Sequence, residues 1–330
     1  MHVGIIGAGA VGGAIAALLS RAGHTVEITA RGPHLDAIRE SGIRLRGAWG
    51  DHTAFVEASP ILTQPAELVI VTTKAQDADA AIRANAAIVR GKPVLVVQNG
   101  LAGVTGAAAS APGSDIVGAL AMYAASYLSP GEVTITTPGV TYLGSTGDND
   151  VPARYVASVL GEVMPVAVVA DFAGAQWSKL VVNQVNALPA TTGRSAQDVI
   201  ADARLRTIMT ASMREAVRIG TASGIEFARL QSLTHRRLRI FARTPLWAGQ
   251  ALPLAMGRRM GSTPNPGSTL QSIRRGQPSE IDYLNGAVVD AAAALGRTAP
   301  VNAAMVDLVH EVERTGRFFT TDEVVARVGL

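Results

Sequence analysis

The sequence contains no cysteine. Disulfides and thiolate-based metal sites are thereby excluded, and a reducing compartment is allowed. Lysine is almost as scarce: only Lys74, Lys92 and Lys179 stand among the 29 lysines and arginines. Where arginine is the default cation, a lysine is placed for what arginine cannot do, because its ammonium is compact and can change protonation state. Charged residues make up 17% and hydrophobic ones 48% of 330 residues, which excludes a disordered chain and suffices for two cores. The net charge of +3 is too small to demand nucleic acid. Arg236, Arg237, Arg239 and Arg243 read as a solvated helix face, with no nucleic-acid-binding motif beside them. One long apolar run is present, Val3 to Leu19, but glycines interrupt it, no cationic segment precedes it and Arg21 closes it. It is short for a membrane span. The expectation is a cytoplasmic protein with a small-molecule ligand, no metal, no membrane or nucleic-acid partner, and room for a homodimer.

What is present is α/β alternation. Val3–Ile6 reads as a buried strand, Ala14–Arg21 as a helix stopped by Gly23, and Val26–Thr29 as a second strand. Leu68–Thr72 and Val94–Val97 are the β-branched runs of parallel strands covered on both faces, with a helix over Asp77–Val89 between them. Short β-prone pieces follow from Ile116 to Gly144, and Val166–Val169 closes this half. Beyond about Ala170 the pattern is helical, interrupted by a Pro- and Gly-rich stretch, Pro245 to Gly267, which reads as a long loop or a broken helix near the site. The predicted fold is a Rossmann-type doubly wound domain over residues 1–170 and an all-α substrate domain over 171–330.

Gly7-Ala8-Gly9-Ala10-Val11-Gly12 matches G-x-G-x-x-G between a strand and a helix, the context that confirms it. The first glycine permits the tight turn, the second lets backbone approach a pyrophosphate, and the third allows close helix–strand packing. The helix start then offers free N–H groups to the phosphates. The second strand ends in Thr29-Ala30-Arg31, where an NAD site usually carries an acid. Glu27 is too early in the strand to serve. An arginine there can pair with a 2′-phosphate, which favours NADP. Lys74 and the Gln98-Asn99-Gly100 turn follow successive strands at the carboxyl edge of the sheet.

The most informative helix begins near Phe172. Lys179, Asn183 and Asn186 stand at i, i+4 and i+7 on one stripe, among Leu180, Val181, Val182 and Val185. Asparagine is a poor choice inside a helix, so the stripe predicts a polar cleft rather than a solvated face. A lysine ammonium can polarise a carbonyl and protonate it as hydride arrives at carbon. Downstream, Ser268 offers a hydroxyl for a carboxylate. Glu280 is either an active-site acid or, after Ser279, a helix-start acid favoured by the dipole. Spacing alone does not choose between them.

Taken together these motifs resemble the ketopantoate reductase (2-dehydropantoate 2-reductase) family, and the likeness also takes in Ala22–Val26, Thr73-Lys74-Ala75, Trp177–Asn183 and Arg275–Gly286. The resemblance implies NADPH-dependent reduction of a 2-oxo acid, with Lys179 as general acid and Glu280 as a second essential group. It implies Asn99, Asn183, Asn265 and Ser268 around the substrate, and Arg31 and Lys74 at the cofactor; Asn99 follows a strand that also serves the cofactor. Two features depart from the family pattern. Its second helix asparagine falls at the position of Ala187, one residue after Asn186, and the Phe241–Thr263 segment is longer than usual. Two other readings compete: a 3-hydroxyacid dehydrogenase of the 6-phosphogluconate dehydrogenase type, against which the Glu280 motif speaks, and a catalytically silent NADP-binding regulator, against which intact Lys179 and Glu280 speak.

Overall fold

The computed structural model describes every residue other than Thr146, Asp148, Ser262 and Thr263. The chain divides into two compact units: Met1–Gln98 with Ala102–Phe172, and Asn99–Leu101 with Ala173–Leu330.

The first unit holds twelve strands among the described residues. They are β1 (His2–Ile6), β2 (Thr25–Thr29), β3 (Ile43–Gly47), β4 (His52–Ala54), β5 (Glu57–Ser59), β6 (Leu68–Val71), β7 (Pro93–Val97), β8 (Asp115–Ala121), β9 (Ala124–Ser129), β10 (Glu132–Thr137), β11 (Thr141–Ser145) and β12 (Val166–Val168). Eight form one sheet in the order β12-β11-β8-β7-β6-β1-β2-β5, parallel except where β11 meets β8. The order reverses at β1, which pairs with β2 on one side and β6 on the other. That reversal is where a doubly wound sheet opens a crevice for its ligand. A second sheet, β4-β3-β10-β9, takes β9 and β10 from the β-prone stretch Ile116–Gly144, whereas β3 and β4 were not among the expected strands.

The helix expected from Ala14 begins at Ala10 and runs to Arg21. It contacts β1 and β2 as well as β3, β4, β9 and β10 of the second sheet. A helix covered on both sides is apolar all round. This explains why Val3–Leu19 looks like a membrane or leader segment: it is a buried strand followed by a sandwiched helix. The single helix expected over Asp77–Val89 is two, Ala75–Ala84 and Ala86–Val89. Asn85 breaks it, because its Oδ1 accepts from the Leu62 N–H at 2.7 Å while its Nδ2 donates to Ala81 O at 2.8 Å. Such side-chain bonds to backbone compete with helix continuation.

The second unit is helical. Its core gathers around Trp177, Leu180, Leu205, Met209, Leu284 and Val309. The central helix is Ala203–Ala222, started by Asp202, whose carboxylate accepts from the Arg204 and Leu205 N–H groups. The Phe172–Asn183 helix is followed directly by a 3₁₀ turn, Gln184–Asn186, and a helix, Ala187–Thr192. The Pro- and Gly-rich segment forms two short helices, Leu246–Gly249 and Ala251–Arg259, so it is a broken helix rather than an open loop. The last two residues of the Phe241–Thr263 segment lie outside the described residues. Among the described residues no helix is long and apolar enough to cross a membrane.

Candidate active site

In the first unit, the glycine-rich turn is shaped by what it must touch. Gly7 has φ +110°, and a Cβ there would lie 2.9 Å from the Thr73 N. A Cβ on Gly12 would lie 1.9 Å from Gly7 O and 2.4 Å from Thr72 Oγ1, so this contact excludes any side chain. Around Gly9, by contrast, nothing lies within 4 Å of the Cβ position. That is the open approach a pyrophosphate requires, and no side-chain cap occupies the helix start behind it. Sequence reasoning missed the groups that brace the turn. Thr29 Oγ1 accepts from the Gly7 N–H at 2.9 Å, and Thr72 Oγ1 donates to Gly7 O at 2.6 Å. His34 Nδ1 accepts from the Gly131 N–H at 3.0 Å, which leaves its Nε2 to donate to Ala8 O at 2.6 Å. Burial pushes the His34 imidazole below its usual value, which favours this neutral form.

Glu27 is settled by its bonds. It is buried, and its carboxylate accepts from Ser59, Thr63 and Gln64. Burial raises the acid, but those hydrogen bonds outweigh it and hold Glu27 below the usual carboxylate range. It anchors the 59–64 loop. The strand end is left to Arg31, exposed at the start of the Gly32–Ser41 helix. Lys74 sits likewise at the start of Ala75–Ala84.

In the second unit a polar cluster forms around Lys179. Lys179 and Asn183 are each 8% exposed. Asn183 Nδ2 reaches Asn99 Oδ1 at 3.5 Å, and Asn99 Nδ2 reaches Glu280 Oε2 at 3.5 Å. The Asn99–Leu101 segment is held in place from two sides. Gln176 Nε2 donates to the carbonyls of Gly100 and Leu101 at 3.2 and 3.3 Å. Gly100, at φ +83°, lies so close to the Tyr283 carbonyl that a Cβ would meet it at 2.4 Å. Gln176 was not singled out from the sequence, although it stands one turn before Lys179 on the same helix.

Glu280 stands at the start of its turn, where the Ser279 hydroxyl accepts from the Ile281 N–H at 3.3 Å. Its own carbonyl accepts from the Tyr283 and Leu284 N–H groups, so its backbone caps the turn while its side chain turns to Asn99. The turn it opens, Asp282–Gly286, is a π-helix, a geometry that recurs at functional sites. Burial lowers the Lys179 ammonium to about 8, and the Glu280 carboxylate opposes that fall. A lysine poised there can hold a proton at neutral pH and release it.

Asn186, Asn265 and Ser268 form a second group. Gly267, at φ +71°, leaves room for Asn186: a Cβ there would meet Asn186 Oδ1 at 2.6 Å. Asn265 Oδ1 accepts from the Gly267 N–H at 2.9 Å, and its backbone is tied to Gln197 and Ala196. Ser268 is exposed in the first turn of Gly267–Arg274. Asn186 thus serves the Asn265–Ser268 turn, while Asn183 serves Asn99.

By class this is a two-domain, Rossmann-type oxidoreductase. Its family follows from comparison. The profile of ketopantoate reductase PanE/ApbA matches residues 3–148, and that of the ketopantoate reductase PanE/ApbA C terminal matches residues 171–313. A 2-dehydropantoate 2-reductase of Pyrococcus horikoshii is 26% identical over 319 residues, 96% of this chain and 99% of that protein. A PanE/ApbA family ketopantoate reductase from Ralstonia eutropha JMP134 superposes with a TM-score of 0.80 at 28% identity, covering 95% of this chain and 99% of the other. D-mandelate dehydrogenase, solved with NADH and anilino(oxo)acetate, shares the fold at a TM-score of 0.80 and 19% identity, over 96% and 99% of the two chains. The chain belongs to the ketopantoate reductase PanE/ApbA family.

Proposed function

We propose that this enzyme reduces a 2-oxo acid with NADPH, and that 2-dehydropantoate (ketopantoate), giving pantoate, is the first substrate to test. The observation that carries the reading is Lys179: a buried ammonium brought down to about 8 and acted on by the Glu280 carboxylate, which Asn99 and Asn183 link back to the Lys179 helix, in a chain with only three lysines. The nicotinamide supplies hydride to the carbonyl carbon when bound. Lys179 Nζ hydrogen-bonds the carbonyl oxygen and gives it a proton as the alkoxide forms. Glu280 accepts a hydrogen bond from a substrate hydroxyl and holds Lys179 protonated. Asn99 and Asn183 orient these groups without adding charge. Asn186, Asn265 and Ser268 receive the carboxylate end, through amide and hydroxyl donors. Gly7 to Gly12 cradle the pyrophosphate, and Lys74 stands at the same sheet edge. Arg31 reads the 2′-phosphate, supported by the engagement of Glu27 elsewhere.

The test is NADPH oxidation against a panel of 2-oxo acids, ketopantoate first. Turnover with ketopantoate well above the other acids is the expected result. Turnover with none of them would remove the reading.

A further inference from the structure

Behind the Lys179 cluster lies a second polar group that the proposed chemistry does not use. Gln184, Ser212, Asn285 and Asn302 are each at most 1% exposed. They come from four separate segments: the 3₁₀ turn after the Lys179 helix, the central helix, the π-helical turn after Glu280, and the Pro300–Thr315 helix. Asn285 is the odd member of its own segment. Ile281, Leu284 and Val288 are equally buried there and wholly apolar. An amide in that stripe costs desolvation, which the hydrogen bonds it makes must offset.

The bonds have a direction. Gln184 Nε2 donates to Leu180 O at 3.0 Å, so its Oε1 faces inward. Asn302 Nδ2 donates to Glu215 Oε2 at 2.8 Å and Ser212 O at 3.2 Å, so its Oδ1 faces inward too. Two acceptors therefore confront each other across the centre. Asn285 Nδ2 supplies a proton to each, at 2.8 Å to Gln184 Oε1 and 3.0 Å to Asn302 Oδ1. The single Ser212 hydroxyl proton serves Gln184 Oε1 at 2.9 Å or Asn302 Oδ1 at 3.1 Å. Among the described residues Asn285 Oδ1 has no partner, so the bonds this carboxamide makes are those of its donors.

We infer that Asn285 is a positioning residue: through Gln184 it fixes the Glu280-bearing turn against the Lys179-bearing helix. Gln184 lies five residues after Lys179, and Asn285 five after Glu280. Removing the tie frees the turn to drift and carries the Glu280 carboxylate away from the ammonium. Among the described residues Glu280 is the charge that acts on Lys179. Several other charges on these elements are engaged elsewhere: Arg214 and Arg218 donate to Ala242 O at 3.3 and 3.2 Å. Glu215 accepts from Val301 and Asn302, while His310 is held by Asp282 and Glu313.

The inference rests on the reductase reading for its effect on turnover, but not for its direct test. With three lysines in the chain, lysine labelled at Cε gives three NMR signals, and Lys74 and Lys92 serve as references. The probes are Asn285→Leu, which removes the donors, and Ser212→Ala, which removes one hydroxyl and carries the test if the first variant does not fold. The expected result is a Lys179 midpoint lowered by about one pH unit in Asn285→Leu, tenfold in its protonation equilibrium, and by less in Ser212→Ala. The midpoints of Lys74 and Lys92 and the affinity for NADPH should not move. In the reductase assay, the alkaline limb of kcat/KM should shift with the Lys179 midpoint. A folded variant whose Lys179 midpoint is unmoved or raised overturns the inference. A lowered midpoint in a protein that reduces no 2-oxo acid upholds the positioning role and removes the reductase reading instead.

Discussion

At the scale of single residues, the proposed chemistry turns on how Lys179 keeps its proton. Burial favours the neutral amine and Glu280 favours the ammonium, leaving the group near 8. The acid form donates, so kcat/KM for the reduction should be level at neutral pH and fall as pH rises through about 8. Glu280→Gln removes the opposing charge, so the lysine loses its proton earlier and the falling limb moves toward neutrality. An unmoved limb would mean that Glu280 acts without tuning the lysine. Lys179→Ala should lower kcat by roughly 10²-fold or more, the usual scale for a lost general acid. Near-normal turnover in that variant would assign the proton donor elsewhere. Glu280→Gln should leave the melting temperature nearly unchanged, because the cap of its turn is a backbone carbonyl that the substitution keeps.

At the scale of elements, the two helix starts illustrate what sequence can and cannot convey. β6 and β7 were legible because buried parallel strands are apolar on both faces. The helix after Gly9 was legible too, but not its first turn, since Gly12 and Gly13 have poor intrinsic helix propensity. Tertiary contact overrides that propensity: Gly12 packs on Gly7 O and Gly13 faces Val133, where a Cβ would lie at 3.0 Å. Gly12→Ala must therefore push the turn apart. It should weaken cofactor binding in a direct titration and lower the melting temperature, whereas Gly9→Ala, which meets no protein atom, should weaken cofactor binding with little loss of stability. Equal effects of the two on stability would contradict the packing. In the second unit, of the Lys179, Asn183 and Asn186 stripe read from a 3.6-residue period, Lys179 and Asn183 share the Phe172–Asn183 helix, whereas Asn186 falls in the 3₁₀ turn after it. The π-helical turn and the Gln184–Ser212–Asn285–Asn302 tie were not legible. A π-turn is a backbone register with no side-chain signature, and the tie joins residues spread over more than a hundred positions.

At the scale of the whole molecule, each unit has its own hydrophobic cluster, one drawn from residues up to Met164 and the other from Trp177 onward. Unfolding of a chain with two cores is not bound to a single two-state transition. A ligand that binds the folded form adds about 2.7 kcal/mol at a hundred times its Kd, so NADPH should raise the transition of the sheet unit by the most. In the proposed reading, Arg31 sets how that gain divides between cofactors. Hydrogen bonds to a charged group contribute about 1.5–3 kcal/mol, so Arg31→Ala should weaken NADPH by roughly 10- to 100-fold. NADH, which has no 2′-phosphate, should lose little. Differential scanning calorimetry at fixed, equal concentrations of the two cofactors then gives the measurement. The wild-type chain should gain more from NADPH than from NADH, and the variant should gain the same from both. If the NADPH advantage survives Arg31→Ala, the 2′-phosphate is read by another cation at that edge, and Lys74, at the start of the helix after β6, is the next to replace.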